Sequence, residues 1–527
     1  MTNIRALTRN GTASLKKHHD VVIVGAGFAG IGFAIKLKRS GCDDFQIIDE
    51  ADGPGGTWHW NTYPGIAVDI PSFSYQYSFE KHKDWSRSYA PGRELKQYAE
   101  QCVAKYDLAP HIRFGTTIIA ANWDAEANLW RLDTSDEQEL TARYLINASG
   151  VLTRPNKPDI AGVDNFAGST MHTARWDHTL DLRGKKVGII GTGASGVQVI
   201  PAIADQVEHL TVFQRTPIWC MPKPDVALAG PLRWALQHVP GTQAAARLAS
   251  QTFVEVTFPI AAHYGGLLPV RSFAEKAALA YLKSQVHDPE VCEKLTPHYG
   301  IGCKRPSFHN SYLATFNRDN VFLETSPITH ISSNAVHNGN GAEHNIDVLI
   351  LATGFKVMDP DNMPTFTLRG SNGLNLTEWW NERRLQAYEG ISIPGFPNYF
   401  SIFGPYGYNG SSYFALVEAQ TAHILRVLKH ARIKRANNVE VTEEANDRFF
   451  AEMMRRRGNQ IFWQDSCASA NSYYFDKNGD VPLRPTTTLE SAIRSRRFKL
   501  SDYDFRQIET ERREIGERLV GLGRGLA

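Results

Sequence analysis

None of the six cysteines stands in a CxxC pair. Cys42, Cys102, Cys220, Cys292, Cys303 and Cys467 are scattered along the chain, which argues against a disulfide scaffold, a zinc ribbon and a thioredoxin-like redox motif. Such usage fits a reducing cytoplasm. A charge excess is also missing: Lys and Arg number 57 and Asp and Glu 55, a net of +2. A general nucleic-acid binder carries a strong basic excess, so no nucleic-acid partner is expected. Long apolar runs are absent too. The richest stretch, residues 244–270, is interrupted by Arg247, Glu255, Pro259 and His263, whereas a membrane span takes about 20 largely apolar residues. It reads as a buried helix, not an integral membrane segment; a cover over a greasy pocket or a contact with a membrane surface stays open. Residues 1–20 carry Arg5, Arg9, Lys16 and Lys17 without the apolar core of a signal peptide, and read as a loose leader. Neither a tandem repeat nor a low-complexity tract occurs. Hydrophobic residues at 42% and charged residues at 21% describe an ordinary globular chain, and 527 residues leave room for about three domains.

What is present is one local grammar written twice. The apolar run after Asp20 leads into Gly25, Gly27, Phe28 and Gly30, and the run after Lys185 leads into Gly191-Thr192-Gly193-Ala194-Ser195-Gly196. Each GxGxxG follows a β-branched strand and opens a helical pattern, the context in which the motif binds a dinucleotide. The first glycine makes the tight turn and the second admits the pyrophosphate. The third lets helix and strand pack closely, with the anion at the helix N-terminus. Two ordinary strand–turn–helix corners are the alternative. Asp49 closes the next strand about 20 residues after the third glycine, where a carboxylate takes a ribose hydroxyl; the adjacent Glu50 competes for that role. The first unit therefore expects FAD or NAD. In the second unit the equivalent position is Arg215, followed by Thr216. A guanidinium suits a 2′-phosphate, so NADPH is expected over NADH, with a solvated surface arginine as the alternative.

Two further apolar runs, Tyr144 to Gly150 and Asp347 to Gly354, end in small-residue turns and bracket the second unit. The expected fold is α/β, with two Rossmann-like dinucleotide-binding domains, the NADPH domain inserted in the FAD domain. Residues 1–150 and 355–527 would form the FAD domain and residues 151–354 the insert. Residues 221–300 read as an added helical subdomain, too long for a loop.

Two other segments narrow the chemistry. Phe166, Gly168, His172, Trp176 and Asp177 spell FxGxxxHxxxWD, and the segment from Gly55 to Asp69 spells GGxWxxxxYPGxxxD. Together with the glycine motifs, from about Asp20 to Phe505, they resemble the type I Baeyer–Villiger monooxygenases. The resemblance implies FAD and NADPH as cofactors, and a small-molecule ketone and O₂ as substrates. The product would be an ester or lactone, made through a C4a-peroxyflavin. It further implies that Asp49 takes the FAD ribose and that Thr57, Trp58, Asp69 and Tyr75 join the first glycine loop around FAD. Ile118 would reach the adenine through its backbone. Arg215, Thr216 and the loop from Gly191 to Gly196 would bind NADPH, with Lys304 adding charge at the 2′-phosphate. Arg305 would be the catalytic arginine, oriented by Asp69. The stretch from Ser472 to Asp476 departs from the tryptophan-containing stretch of better-known relatives.

Several of these residues have a plainer reading. His172 and Trp176 are read as a hinge coupling NADPH binding to domain movement, not as catalytic groups. Trp58 is either core or a flat ring against the flavin. Lys304 and Arg305, without the resemblance, read as a solvated pair. The segment Phe403–Gly407 before Ser411 either aims a helix N-terminus at the flavin, where negative charge develops, or forms a plain turn and cap. Two other functions share the glycine motifs: a flavin monooxygenase that oxidises sulfur or nitrogen, and a non-catalytic FAD-binding module.

Overall fold

The computed structural model describes residues 17–264, 270–467, 470 and 472–509. The leader expected at residues 1–20 lies almost wholly outside these residues. Two sheets organise the rest. The first has eight strands, in the order 367–369, 118–124, 129–134, 140–147, 18–24, 45–48 and 112–113, with Tyr399–Ser401 also paired to the strand Leu140–Asn147. His18–Val24 runs parallel to both of its neighbours. The second sheet has five strands, in the order 321–324, 209–213, 186–190, 348–351 and 169–172, all parallel.

Parallel strands covered on both faces carry continuous apolar sequence, and alternate residues enter opposite cores. Val21 and Ile23 pack with the helix Phe28–Arg39, while Val22 and Val24 join a second core on the other face. In the second sheet Val187 and Ile189 enter one core, and Ile190 enters another. Both sheets start with the same corner. Gly25 and Gly191 adopt φ of +107° and +109°, a region that favours glycine. A Cβ on Gly30 would overlap the Gly25 carbonyl oxygen, and one on Gly196 would overlap that of Gly191. The third glycine of each motif is therefore required by helix–strand packing.

Between the strands His209–Phe213 and Val321–Glu324 lies the helical cover: Gly230–His238, Thr242–Glu255, Ala261–Tyr264, Val270–Gln285 and Pro289–Lys294. The described residues of the apolar stretch 244–270, which are 244–264 and 270, fall within it, and no helix among the described residues is long and apolar enough to cross a membrane. The long C-terminal helix Tyr413–Lys434 returns to pack on Phe28–Arg39.

Two features depart from the sequence reading. The segment around His172, read as a hinge, is in part an edge strand: Ser169–His172 pairs in parallel with Val348–Leu351. His172 then caps the next turn, its Nδ1 accepting from Ala174 N–H. The other departure is a disulfide, Cys303–Cys467, which joins residues 164 positions apart with a Cα–Cα separation of 5.2 Å. Sequence spacing carries no trace of it, because the two cysteines meet only when the segment near residue 467 folds over the Lys304–Arg305 loop.

Candidate active site

The first helix begins at Phe28 with Gly27 as its N-cap, without an acidic residue in its first turn and without a side-chain cap. Its leading N–H groups are among those a helix cannot satisfy internally. The Phe28 ring itself is buried in an aromatic cluster with Tyr75, Tyr77, Tyr98 and Phe414. Its backbone, not its side chain, belongs to the loop. Gly55 N–H donates to Ala26 O at 3.0 Å, and Gly56 stacks on Gly27. This contact delivers the short helix Thr57–Trp60 to the same place. Trp58 Nε1 donates to the Tyr75 hydroxyl at 3.1 Å, with the rings edge-on at 5.7 Å. Asp49 accepts from the backbone N–H groups of Ala26 and Ala51. Burial pushes its carboxyl up to about 6 against the pull of those hydrogen bonds. Thr116 N–H donates to Asp49 O at 3.0 Å, which brings the start of the strand Ile118–Asp124 beside Asp49. The Ile118 side chain is buried, leaving its backbone at the strand's end.

The second helix, Ala194–Ile203, has Gly193 as its N-cap and again lacks an acidic first turn or a side-chain cap. A Cβ on Gly193 would meet nothing within 4 Å. Thr192 is buried, with its hydroxyl on Thr216 O at 3.4 Å, and Ser195 hydrogen-bonds the Tyr63 phenol. Arg215 is exposed at the end of its strand. Lys304 Nζ sits 5.4 Å from the centre of the Tyr299 ring. Burial, and then the nearby Arg215 charge, hold its ammonium down at about 8. Two cations kept close at such a cost fit a phosphate dianion. Both glycine loops, with their uncapped helix starts, fit pyrophosphates.

Arg305 follows directly. Its Nε lies 2.7 Å from Asp69 Oδ2, one guanidinium nitrogen reaches Gly410 O at 3.4 Å, and its centre stands 5.3 Å over the Phe258 ring. Burial opposes the Arg305 charge, but Asp69 and the phenols of Tyr408, Tyr474 and Tyr473 outweigh it, so the cation is held well above its ordinary range. Sequence reasoning missed Phe258, Tyr408, Tyr473 and Tyr474. The signal for the last two was the divergent stretch from Ser472 to Asp476, which supplies both. Phe258 and Tyr408 come from the helical cover and the loop before Tyr413–Lys434, and local pattern alone does not link them to Arg305.

The two signature segments meet. Arg175 stacks 3.8 Å over Trp60, and His178 pairs with the Thr62 hydroxyl at 2.8 Å. The helix after the Phe403–Gly407 turn starts at Tyr413 without a side-chain cap, and Phe414 packs edge-on to Tyr75 at 5.0 Å. Its N-terminus therefore stands at the same aromatic cluster as Trp58. Among the described residues no cluster of metal-ligating side chains occurs.

Residues 22–243 match the family model described as pyridine nucleotide-disulphide oxidoreductase. A Baeyer–Villiger monooxygenase of Pseudomonas aeruginosa is 33% identical over 94% of this chain and 93% of its own length. A phenazine N-monooxygenase of Lysobacter antibioticus is 32% identical over 88% of this chain and 91% of its own. A crystal structure of OTEMO in complex with FAD and NADP superposes with a TM-score of 0.83 at 26% identity, covering 93% of this chain and 99% of that one. With the paired glycine corners and the Asp69–Arg305 contact in place, these similarities are decisive: the chain belongs to the Baeyer–Villiger monooxygenase family.

Proposed function

We propose that the site inserts an oxygen atom from O₂ next to a ketone carbonyl, giving an ester or lactone, with Arg305 at its centre. The Asp69–Arg305 contact, one loop from the Lys304–Arg215 pair, is the observation that carries this reading. The enzyme is an NADPH-dependent flavoprotein monooxygenase. FAD supplies the oxygen-activating chemistry when bound, and NADPH the hydride. The chain's own residues do the rest. Gly25, Gly27 and Gly30 with Thr57 and Trp58 seat FAD, Asp49 takes its ribose, and Ile118 meets the adenine through backbone. The loop from Gly191 to Gly196 would seat NADPH, with Arg215, Thr216 and Lys304 to receive its 2′-phosphate. Arg305 places a fixed charge where the ketone oxygen becomes negative, and a guanidinium keeps that charge at any working pH. Asp69 sets its angle. Phe258 and Tyr474, both buried, pack beside the guanidinium and shield those sides of it from water. Residues 1–150 and 355–527 act as the FAD domain and residues 151–354 as the NADPH domain.

A screen of linear, cyclic and steroidal ketones tests this reading, with product mass as the readout. A gain of one oxygen in an ester supports it. The kinship with a phenazine N-monooxygenase favours one rival, oxidation of nitrogen or sulfur. An N-oxide or sulfoxide, with every ketone left unchanged, would decide for that rival. A bound flavin that NADPH fails to bleach without oxygen would point to a non-catalytic module.

A further inference from the structure

The loop that ends in Asp69 leans on one side chain of the second dinucleotide helix. Gln198 lies in Ala194–Ile203, the helix that opens at the second glycine motif. Its Nε2 donates to Ala67 O at 2.9 Å, while its Oε1 accepts from Ala67 N–H at 3.4 Å and from the Tyr63 hydroxyl at 3.1 Å. One carboxamide thus satisfies both polar groups of one residue, as a neighbouring strand would. The approach is close because of Gly65, at φ +81°. A Cβ there would stand 2.6 Å from the Gln198 carbonyl oxygen. On its other side the same segment is fixed to the start of the helix Gly92–Lys105: Val68 N–H donates to Ala90 O and Gly92 N–H to Ile66 O, each at 3.0 Å. Lys223 Nζ holds Val68 O at 3.0 Å. Asp69 is the next residue, and its carboxylate grips Arg305.

We infer that Gln198 is a positioning residue for oxygenation: it ties the seating of the NADPH-binding helix to the angle of Asp69, and through Asp69 to Arg305. Its polar atoms are engaged by Ala67 and Tyr63, so it acts on Arg305 through the loop. The inference rests on the functional reading above. It explains why a signature ending in an arginine partner also carries a tyrosine and a glycine that face the other helix. A helix displaced when NADPH is absent would leave Ala67 without its partners, and Asp69 would be free to drift.

The test is ester formed per NADPH consumed, with hydrogen peroxide measured alongside, in the Gln198→Ala and Gln198→Glu holoenzymes. Loss of the carboxamide should lower ester per NADPH by roughly tenfold, the worth of about 1.4 kcal/mol, and raise peroxide to match. Anaerobic flavin reduction should fall by less than that. In Gln198→Glu the ionised carboxylate keeps an acceptor for Ala67 N–H but turns a second oxygen toward Ala67 O with no proton between them. Protonation restores the donor. Gln198→Glu should therefore be uncoupled at about pH 8 and regain coupling toward about pH 5.5, a recovery absent from wild type and from Gln198→Ala. Adding Gln198→Ala to Asp69→Ala should cost nothing further, since both act on one contact. Wild-type ester per NADPH in both single variants, or a full multiplicative loss in the double variant, would overturn the inference while leaving the functional reading intact. If Gln198→Ala does not fold, the pH series of Gln198→Glu decides, and the lack of acid recovery overturns the inference. A wild-type enzyme that reduces its flavin yet makes no ester would overturn both.

Discussion

Asp69 and Arg305 lie far apart in the chain, yet their side chains meet at 2.7 Å. The carboxylate makes its closest approach at Nε, while one terminal nitrogen reaches Gly410 O at 3.4 Å. A planar fork held at one edge presents the rest of its charge in a fixed direction.

That geometry predicts a separation of half-reactions. Arg305→Ala should retain FAD and accept hydride, because the glycine loops and Asp49 lie on other elements. Ester formation should fall by about 10²–10³, the usual cost of removing an electrostatic stabiliser from a transition state, while NADPH is still consumed and hydrogen peroxide released. Lysine should rescue poorly, since a point charge lacks the fork. Asp69→Ala should show the same pattern more weakly. Product per NADPH, with anaerobic bleaching as the control, reads all three variants.

Cofactor choice should depend on pH. With its ammonium held at about 8 by burial and by Arg215, Lys304 is charged below that pH and neutral above it. The KM for NADPH should rise as pH passes upward through about 8, and the KM for NADH should not. Lys304→Met should flatten the difference. Arg215→Ala should weaken NADPH by about 10–150-fold, the worth of one charge-assisted hydrogen bond, with little effect on NADH. Equal losses with both cofactors would remove Arg215 from the 2′-phosphate site.

Glycine variants separate packing from cofactor binding. An added Cβ at Gly27 meets Gly56 Cα at an ordinary 3.5 Å, so the protein alone tolerates Gly27→Ala. Flavin absorbance per chain should nevertheless drop, because the methyl group occupies pyrophosphate space. Gly30→Ala drives a methyl into the Gly25 carbonyl and should lower the melting temperature even in the apoprotein. Normal flavin content in folded Gly27→Ala would make this loop an ordinary turn.

The disulfide gives a fourth expectation. Cys303 directly precedes Lys304 and Arg305, and Cys467 sits just before the tyrosine segment. Replacing both cysteines by serine should lower the melting temperature by about 5 °C and reduce ester per NADPH, as the two sides of the pocket loosen. An unchanged melt and unchanged coupling would leave the bridge without a role here.

What the sequence disclosed follows from the range of each interaction. The corners at Gly25 and Gly191 were legible because turn, close packing and helix start all act within a few residues. The surroundings of Arg305 were not. Tyr408, Tyr474 and Phe258 converge from three segments, and neither periodicity nor spacing encodes such a meeting. The edge strand Ser169–His172 leaves no signal in the sequence because four residues give too short a pattern to register. Cys303 and Cys467, 164 residues apart, show no pairing signal in the sequence because their meeting, too, depends on the whole fold. The role of Asp69 came from a motif, but the geometry of its contact with Arg305, and the hold of Gln198 on Ala67, came from the fold.

The most direct measurement supplies isotopically labelled dioxygen to the reduced holoenzyme with NADPH and a ketone, and reads the product by mass and by linkage. The account predicts an ester or lactone carrying one labelled oxygen in wild type, and none, with labelled hydrogen peroxide instead, in Arg305→Ala. Labelled ester at wild-type yield from Arg305→Ala would contradict it.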